Sequence, residues 1–165
     1  MNRMLLTALA ALMLAGCQRE ANDYLSINGK IFIFNVRLSK AYYTLNLNRL
    51  ADVPDGSMVT AEFENPAGGP PLSVTKKVFP NMTRIDFQSP DLDCIVADKP
   101  YAITITLRAP DGKEMQRIKT TLASTLDQTV MPEQALVRGN AYDKNPTAYD
   151  ATGHVKFRKA CGAQG

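Results

Sequence analysis

Few residues in this sequence have the type and spacing to do chemistry. There are three cysteines, Cys17, Cys94 and Cys161, and a single histidine, His154. His154 has no Gly-x-Ser-x-Gly nucleophile elsewhere in the chain to serve, so the usual general base has no partner motif. Asp91, Asp93 and Asp98 fall in one segment beside Cys94, and oxygen-rich loops suit Ca²⁺. Their spacing is not that of an EF-hand, however, and Leu92 and Ile95 interleave, so a solvated loop is the expectation. Cys94, Cys161 and His154 lack any Cys-x-x-Cys or His-x₃-His spacing, which argues against both a zinc site and a redox pair. No two carboxylates stand out as a glycosidase pair, and the ten glycines form neither a dinucleotide fingerprint nor a phosphate loop. The expectation is a non-catalytic chain without metal or cofactor. What chemistry remains is recognition: Tyr42, Tyr142 and Tyr149, with Tyr43, bring ring area at low entropic cost to an interaction surface.

Cys17 is read from what precedes it. Met1-Asn2-Arg3 is a short basic start, and Met4–Met13 (MLLTALAALM) is apolar except for Thr7. That run is too short for the ~20 residues of a spanning helix and reads as a secretory signal. It ends in Leu14-Ala15-Gly16-Cys17, which resembles the lipobox of bacterial lipoproteins. The resemblance covers the first 17 residues. It implies removal of residues 1–16, a diacylglycerol on the Cys17 thiol, an acyl chain on the new amine, and a lipid bilayer as partner. Two or three acyl chains anchor stably, since each buried CH₂ contributes about 0.8 kcal/mol. Gln18, rather than Asp, follows the lipidated cysteine, and by the same resemblance this favours the outer membrane, with the domain on its periplasmic side. Residues 17–23 then form the lipidated cysteine and a short polar tether.

Export decides the other two cysteines. Outside the cytoplasm a remaining pair reads as a disulfide, so Cys94–Cys161 is expected to staple the end of the sequence to the domain. Net charge is +3, and +2 once Arg3 leaves with the leader, too little to call for nucleic acid.

The elements that position these residues follow from period-two alternation. Ile31–Val36, Tyr43/Leu45/Leu47, Val59/Ala61/Phe63, Leu72/Val74, Ile85/Phe87, Tyr101/Ile103/Ile105/Leu107 and Met115–Leu122 read as strands. Asn28-Gly29, Pro54-Asp55-Gly56, Asn65–Pro71 and Asp111-Gly112 read as turns or loops. Lys76 interrupts its apolar phase, as an inward lysine does on an edge strand. The phase slips between Met115 and Ile118, which predicts a β-bulge.

Residues 24–126 are therefore expected to be an all-β domain of seven or eight short antiparallel strands, with residues 127–165 an extended, irregular tail pinned by the disulfide. The pattern resembles an Ig-like or fibronectin-III-like sandwich, and Tyr101, opening the penultimate strand, resembles a tyrosine corner. The sequence departs from antibody domains: it has no Trp, and Cys94 precedes Tyr101, while Ile103 stands two residues after it. A barrel of the same strand count fits as well. The expected function is a membrane-anchored, non-catalytic interaction module that docks another envelope protein, with β-augmentation of an edge as one route. The alternative is a ligand- or carbohydrate-binding module whose tyrosines stack on sugars.

Overall fold

The computed structural model describes residues 23–162. The leader and most of the tether, including Cys17, lie outside the described residues. Wherever one face of an alternating segment is apolar, the chain buries that face and runs as a strand. Seven strands arise in this way: β1 (Leu25–Asn35), β2 (Lys40–Arg49), β3 (Met58–Phe63), β4 (Leu72–Lys77), β5 (Arg84–Gln88), β6 (Tyr101–Arg108) and β7 (Glu114–Leu122). The described residues contain no α-helix.

The strands form two antiparallel sheets, one in the order β1-β2-β5 and the other in the order β4-β3-β6-β7. Their apolar faces share one cluster: Tyr43, Leu45 and Leu47 of β2 with Ile85 and Phe87 of β5, and Val59, Ala61 and Phe63 of β3 with the odd-numbered residues of β6. Aromatic contacts tie the sheets together. The Tyr43 and Phe63 rings stack with centroids 5.1 Å apart, and Phe32 meets Tyr101 edge-on at 5.8 Å.

Two local expectations compare differently with the structure. The slipped phase in the last long strand is a bulge: Leu107 pairs with Gln116 and Arg108 with Glu114, leaving Met115 unpaired. Asn28-Gly29, by contrast, is not a turn. β1 runs straight through it, and the register against β2 shifts between Ile27 and Gly29. A glycine inside a strand marks a bulge as readily as a turn. The pattern on the far side decides between them, because both flanks of Asn28-Gly29 pair with the same partner strand. Lys76 lies on edge strand β4 as expected, with its ammonium 5.7 Å from the Phe87 ring centroid of the opposite sheet.

Beyond β7 the chain is mostly irregular, though not wholly so. Short 3₁₀ turns at Gln128–Val130 and Pro146–Ala148 are capped by the side chains of Asp127 and Asn145. Between them, β8 (Val137–Arg138) pairs with β9 (Asp143–Lys144). This segment docks on the β1–β2 turn and on the loop before β6. Met131 is fully buried, Leu136 N–H donates to Arg37 O at 2.9 Å, and Gln128 N–H donates to Ile95 O at 3.0 Å. Arg158 completes the clasp. Its guanidinium donates to Asp93 at 2.5 Å, to Ser39 O at 3.0 Å and to Pro132 O at 3.3 Å. Cys94 and Cys161 are disulfide-bonded across a sequence separation of 67.

Candidate functional site

The strand order leaves β1 and β7 as free edges, one from each sheet, and the chain brings them side by side. Two side chains bridge this seam. The Gln116 carboxamide accepts from Tyr24 N–H (3.0 Å) and Leu25 N–H (2.8 Å), and its amide donates to Leu25 O (3.0 Å). The Met115 bulge makes this possible. It places Gln116 opposite the buried Leu107 and so aims a polar side chain along the inner face toward β1. Further along, the Lys30 ammonium donates to Thr120 Oγ1 and Thr121 O.

Past Lys30 the seam opens into a groove of about 410 Å³, lined in part by Ile31, Phe32, Phe34, Leu122 and Leu126. Ile31 and Leu126 are 55% and 48% exposed, unusual for large aliphatic side chains. The groove therefore combines apolar walls with two strand edges whose outward backbone groups have no ladder partner among the described residues. That combination suits an extended polypeptide, which pairs its backbone with the edge and fills the groove with alternate side chains.

A second recess, of about 240 Å³, sits on the outer side of the four-stranded sheet, beside Glu62, Glu64, Asn65 and Thr104. Glu64 is already occupied there. It accepts from Ala102 N–H at 2.9 Å and pairs with Lys99 at 3.5 Å.

The residues singled out for chemistry are scattered. Asp91 pairs with Lys40 at 2.9 Å and Asp93 with Arg158, while Asp98 N–H donates to Ser124 O at 2.7 Å. Among the described residues no three His, Cys, Asp or Glu side chains converge as a metal site would require. His154 is 82% exposed at its side chain, in a turn organised by Asp150. One Asp150 oxygen accepts from His154 N–H (2.9 Å), Thr152 N–H (2.8 Å) and Thr152 Oγ1 (2.7 Å). These bonds, the Thr152 hydroxyl first, hold the Asp150 carboxyl below the usual aspartate range. The arrangement is a hydrogen-bonded turn that stabilises its own backbone.

The tyrosines also part company. Tyr43 belongs to no surface: it is fully buried, and its hydroxyl donates to Glu64 O at 3.0 Å. Burial, then the neighbouring Tyr101 and Glu64, pushes its phenol well above the ordinary value of 10.0. Tyr42 is half-buried on the outer face of β2, since its neighbours Ala41 and Tyr43 point inward. Tyr142 is 53% exposed with the Arg37 guanidinium 4.7 Å from its centroid, and the Lys144 ammonium lies 4.2 Å from that of Tyr149. No ring contact joins Tyr42, Tyr142 and Tyr149 among the described residues. Tyr101 is fully buried, and its hydroxyl accepts from Val96 N–H, five residues upstream, at 2.9 Å.

Sequence reasoning missed Gln116, Lys30 and Arg158, the three side chains that close the seam and clasp the tail. Only Gln116 left a trace, in the phase slip beside it.

Residues 1–18 match the prokaryotic membrane lipoprotein lipid attachment site. The chain is thus a lipoprotein anchored to a membrane through Cys17. No curated protein sequence matches it. Among solved structures it is similar to the crystal structure of an endonuclease/exonuclease/phosphatase from Beutenbergia cavernae DSM 12333, at 16% identity and a TM-score of 0.32. That similarity covers 58% of this chain and 27% of the other, and at this level it carries no argument about fold or activity.

Proposed function

We propose that this lipoprotein is a non-catalytic docking module on the periplasmic face of the outer membrane, built on a fibronectin-III-like sandwich, and that it receives an extended segment of another envelope protein. The observation that carries the reading is the groove where β1 and β7, both free edges, flank Ile31, Phe32, Phe34, Leu122 and Leu126. Monomeric proteins usually blunt such edges with charge or cover them. β4 has its inward Lys76, and the lower seam is closed by Gln116 and Lys30, but the upper seam is left apolar and open. The sandwich assignment is supported by the sheet orders, β1-β2-β5 against β4-β3-β6-β7, and by the Tyr101 corner at the start of β6. Gln18 after the lipidated cysteine supports the outer membrane.

The test is in-cell photocrosslinking from a reactive residue at Ile31 or Leu126, beside the same residue at the exposed Val36. A discrete crosslinked protein at the groove positions, absent in Cys17→Ser cells, is expected. Crosslinks equal at all three positions, or none at the groove, would overturn the reading.

A further inference from the structure

The anchor fixes more than location. Six tether residues, Gln18–Asp23, separate Cys17 from Tyr24, and fully extended they reach roughly 20 Å. The 11-residue β1 that follows is about 35 Å long at ~3.3 Å per residue. A tether shorter than the strand it leads into keeps the start of β1, and the loops around it, next to the bilayer. The tether sets no such limit on the far end, which carries the open groove.

The loops at the near end are the β2–β3 connection, the β4–β5 connection and the β6–β7 hairpin, because Leu25 pairs with Arg49, Asn48 with Arg84, and Met58 with both Lys77 and Arg108. Two large apolar side chains stand exposed among them: Leu50, 54% exposed, and Phe79, 52% exposed. Both are fastened beside the point where the tether enters. Leu50 N–H donates to Tyr24 O at 2.8 Å, and the neighbouring Arg49 guanidinium donates to Phe79 O at 3.4 Å. The Lys77 ammonium lies 5.3 Å from the Phe79 ring centroid. An aliphatic side chain and an aromatic ring beside a lysine are the side chains that partition into the headgroup boundary, the apolar part inserted and the ammonium at the phosphates.

We infer that Leu50 and Phe79 form a membrane-seating surface, which inserts into the bilayer interface beside the Cys17 lipid and fixes the domain upright with the β1–β7 groove pointing away. The inference rests on the anchor at Cys17 and not on the docking role. The bilayer is its occupant because the tether enters the domain on this face, beside Leu50, and keeps it within about 20 Å of the lipid.

The chain has no Trp, so single reporters are unambiguous. The full-length lipidated protein carrying Phe79→Trp, Leu50→Trp or, at the opposite end, Val96→Trp is reconstituted in vesicles of phosphatidylethanolamine and phosphatidylglycerol with dibrominated acyl chains. Near-end rings seated about 5–10 Å into the boundary are expected to show blue-shifted emission and roughly a twofold loss of intensity, with Val96→Trp unchanged. Matching circular dichroism across the three variants establishes that all are folded. No quenching at either near-end reporter, equal quenching at both ends, or quenching at Val96→Trp alone would overturn the inference. Each of these results leaves the groove crosslink free to succeed or fail by itself.

Discussion

At the scale of single residues, the hydroxyls of two core tyrosines have structural tasks. Tyr43 is wedged between the sheets with its hydroxyl on Glu64 O, and burial raises its pKa above 10.0. The sign follows from linkage. Above pH 10 the unfolded chain loses this proton while the folded chain keeps it, so stability falls as pH rises. The thermal midpoint is therefore expected to drop above pH 10, and to drop less in Tyr43→Phe. At neutral pH the same substitution costs about 1 kcal/mol for the lost hydrogen bond. A pH series of calorimetric melts checks both. Tyr101→Phe removes the only hydrogen bond described for Val96 N–H and is expected to cost about 1–2 kcal/mol in denaturant unfolding. The burial of Tyr101 was legible in the sequence because it opens a cleanly alternating strand. The fate of Tyr43 was not. A tyrosine in phase with Leu45 and Leu47 is as compatible with an interaction surface as with a core until its hydroxyl is seen to have a partner.

At the scale of elements, legibility tracked how fully one face is buried. β2, β3, β5 and β6 alternate in the sequence and bury the expected side chains, because a one-residue slip would turn every apolar group to water. Edge strand β1 was harder to delimit, since only Leu25 and Phe32 of it are buried and its bulge mimics a turn signal at Asn28-Gly29. The candidate groove was not legible at all beyond the general expectation of an open edge. It depends on which edges become neighbours, and that is a property of sheet order and not of any local pattern. The segment after β7 has no hydrophobic period to read. Its docking rests on Met131, on Arg158 and on the bond to Cys94. Cys161→Ala is expected to lose about 4 kcal/mol by the chain-entropy estimate for a separation of 67. It should also open residues 127–160 to limited proteolysis while the seven strands stay protected, as mapping of the cleavage sites would show.

At the scale of the whole molecule, the two ends of the strands differ in what they offer. One end receives the tether and carries Leu50 and Phe79. The other carries the open groove, the tail and the disulfide. The inferred seating of Leu50 and Phe79 would turn the groove, at the other end of the strands, away from the bilayer.

The disulfide also sets an order of events. All of β6 and β7 and the docked tail lie between its two sulfurs, so Cys94 waits as a free thiol while everything up to residue 161 is synthesised and exported. The Cys94–Cys161 bond cannot close until residue 161 has followed β6, β7 and the docked tail out of the cytoplasm. A copy truncated before residue 161 therefore lacks this link, and nothing covalent holds its tail to the loop before β6.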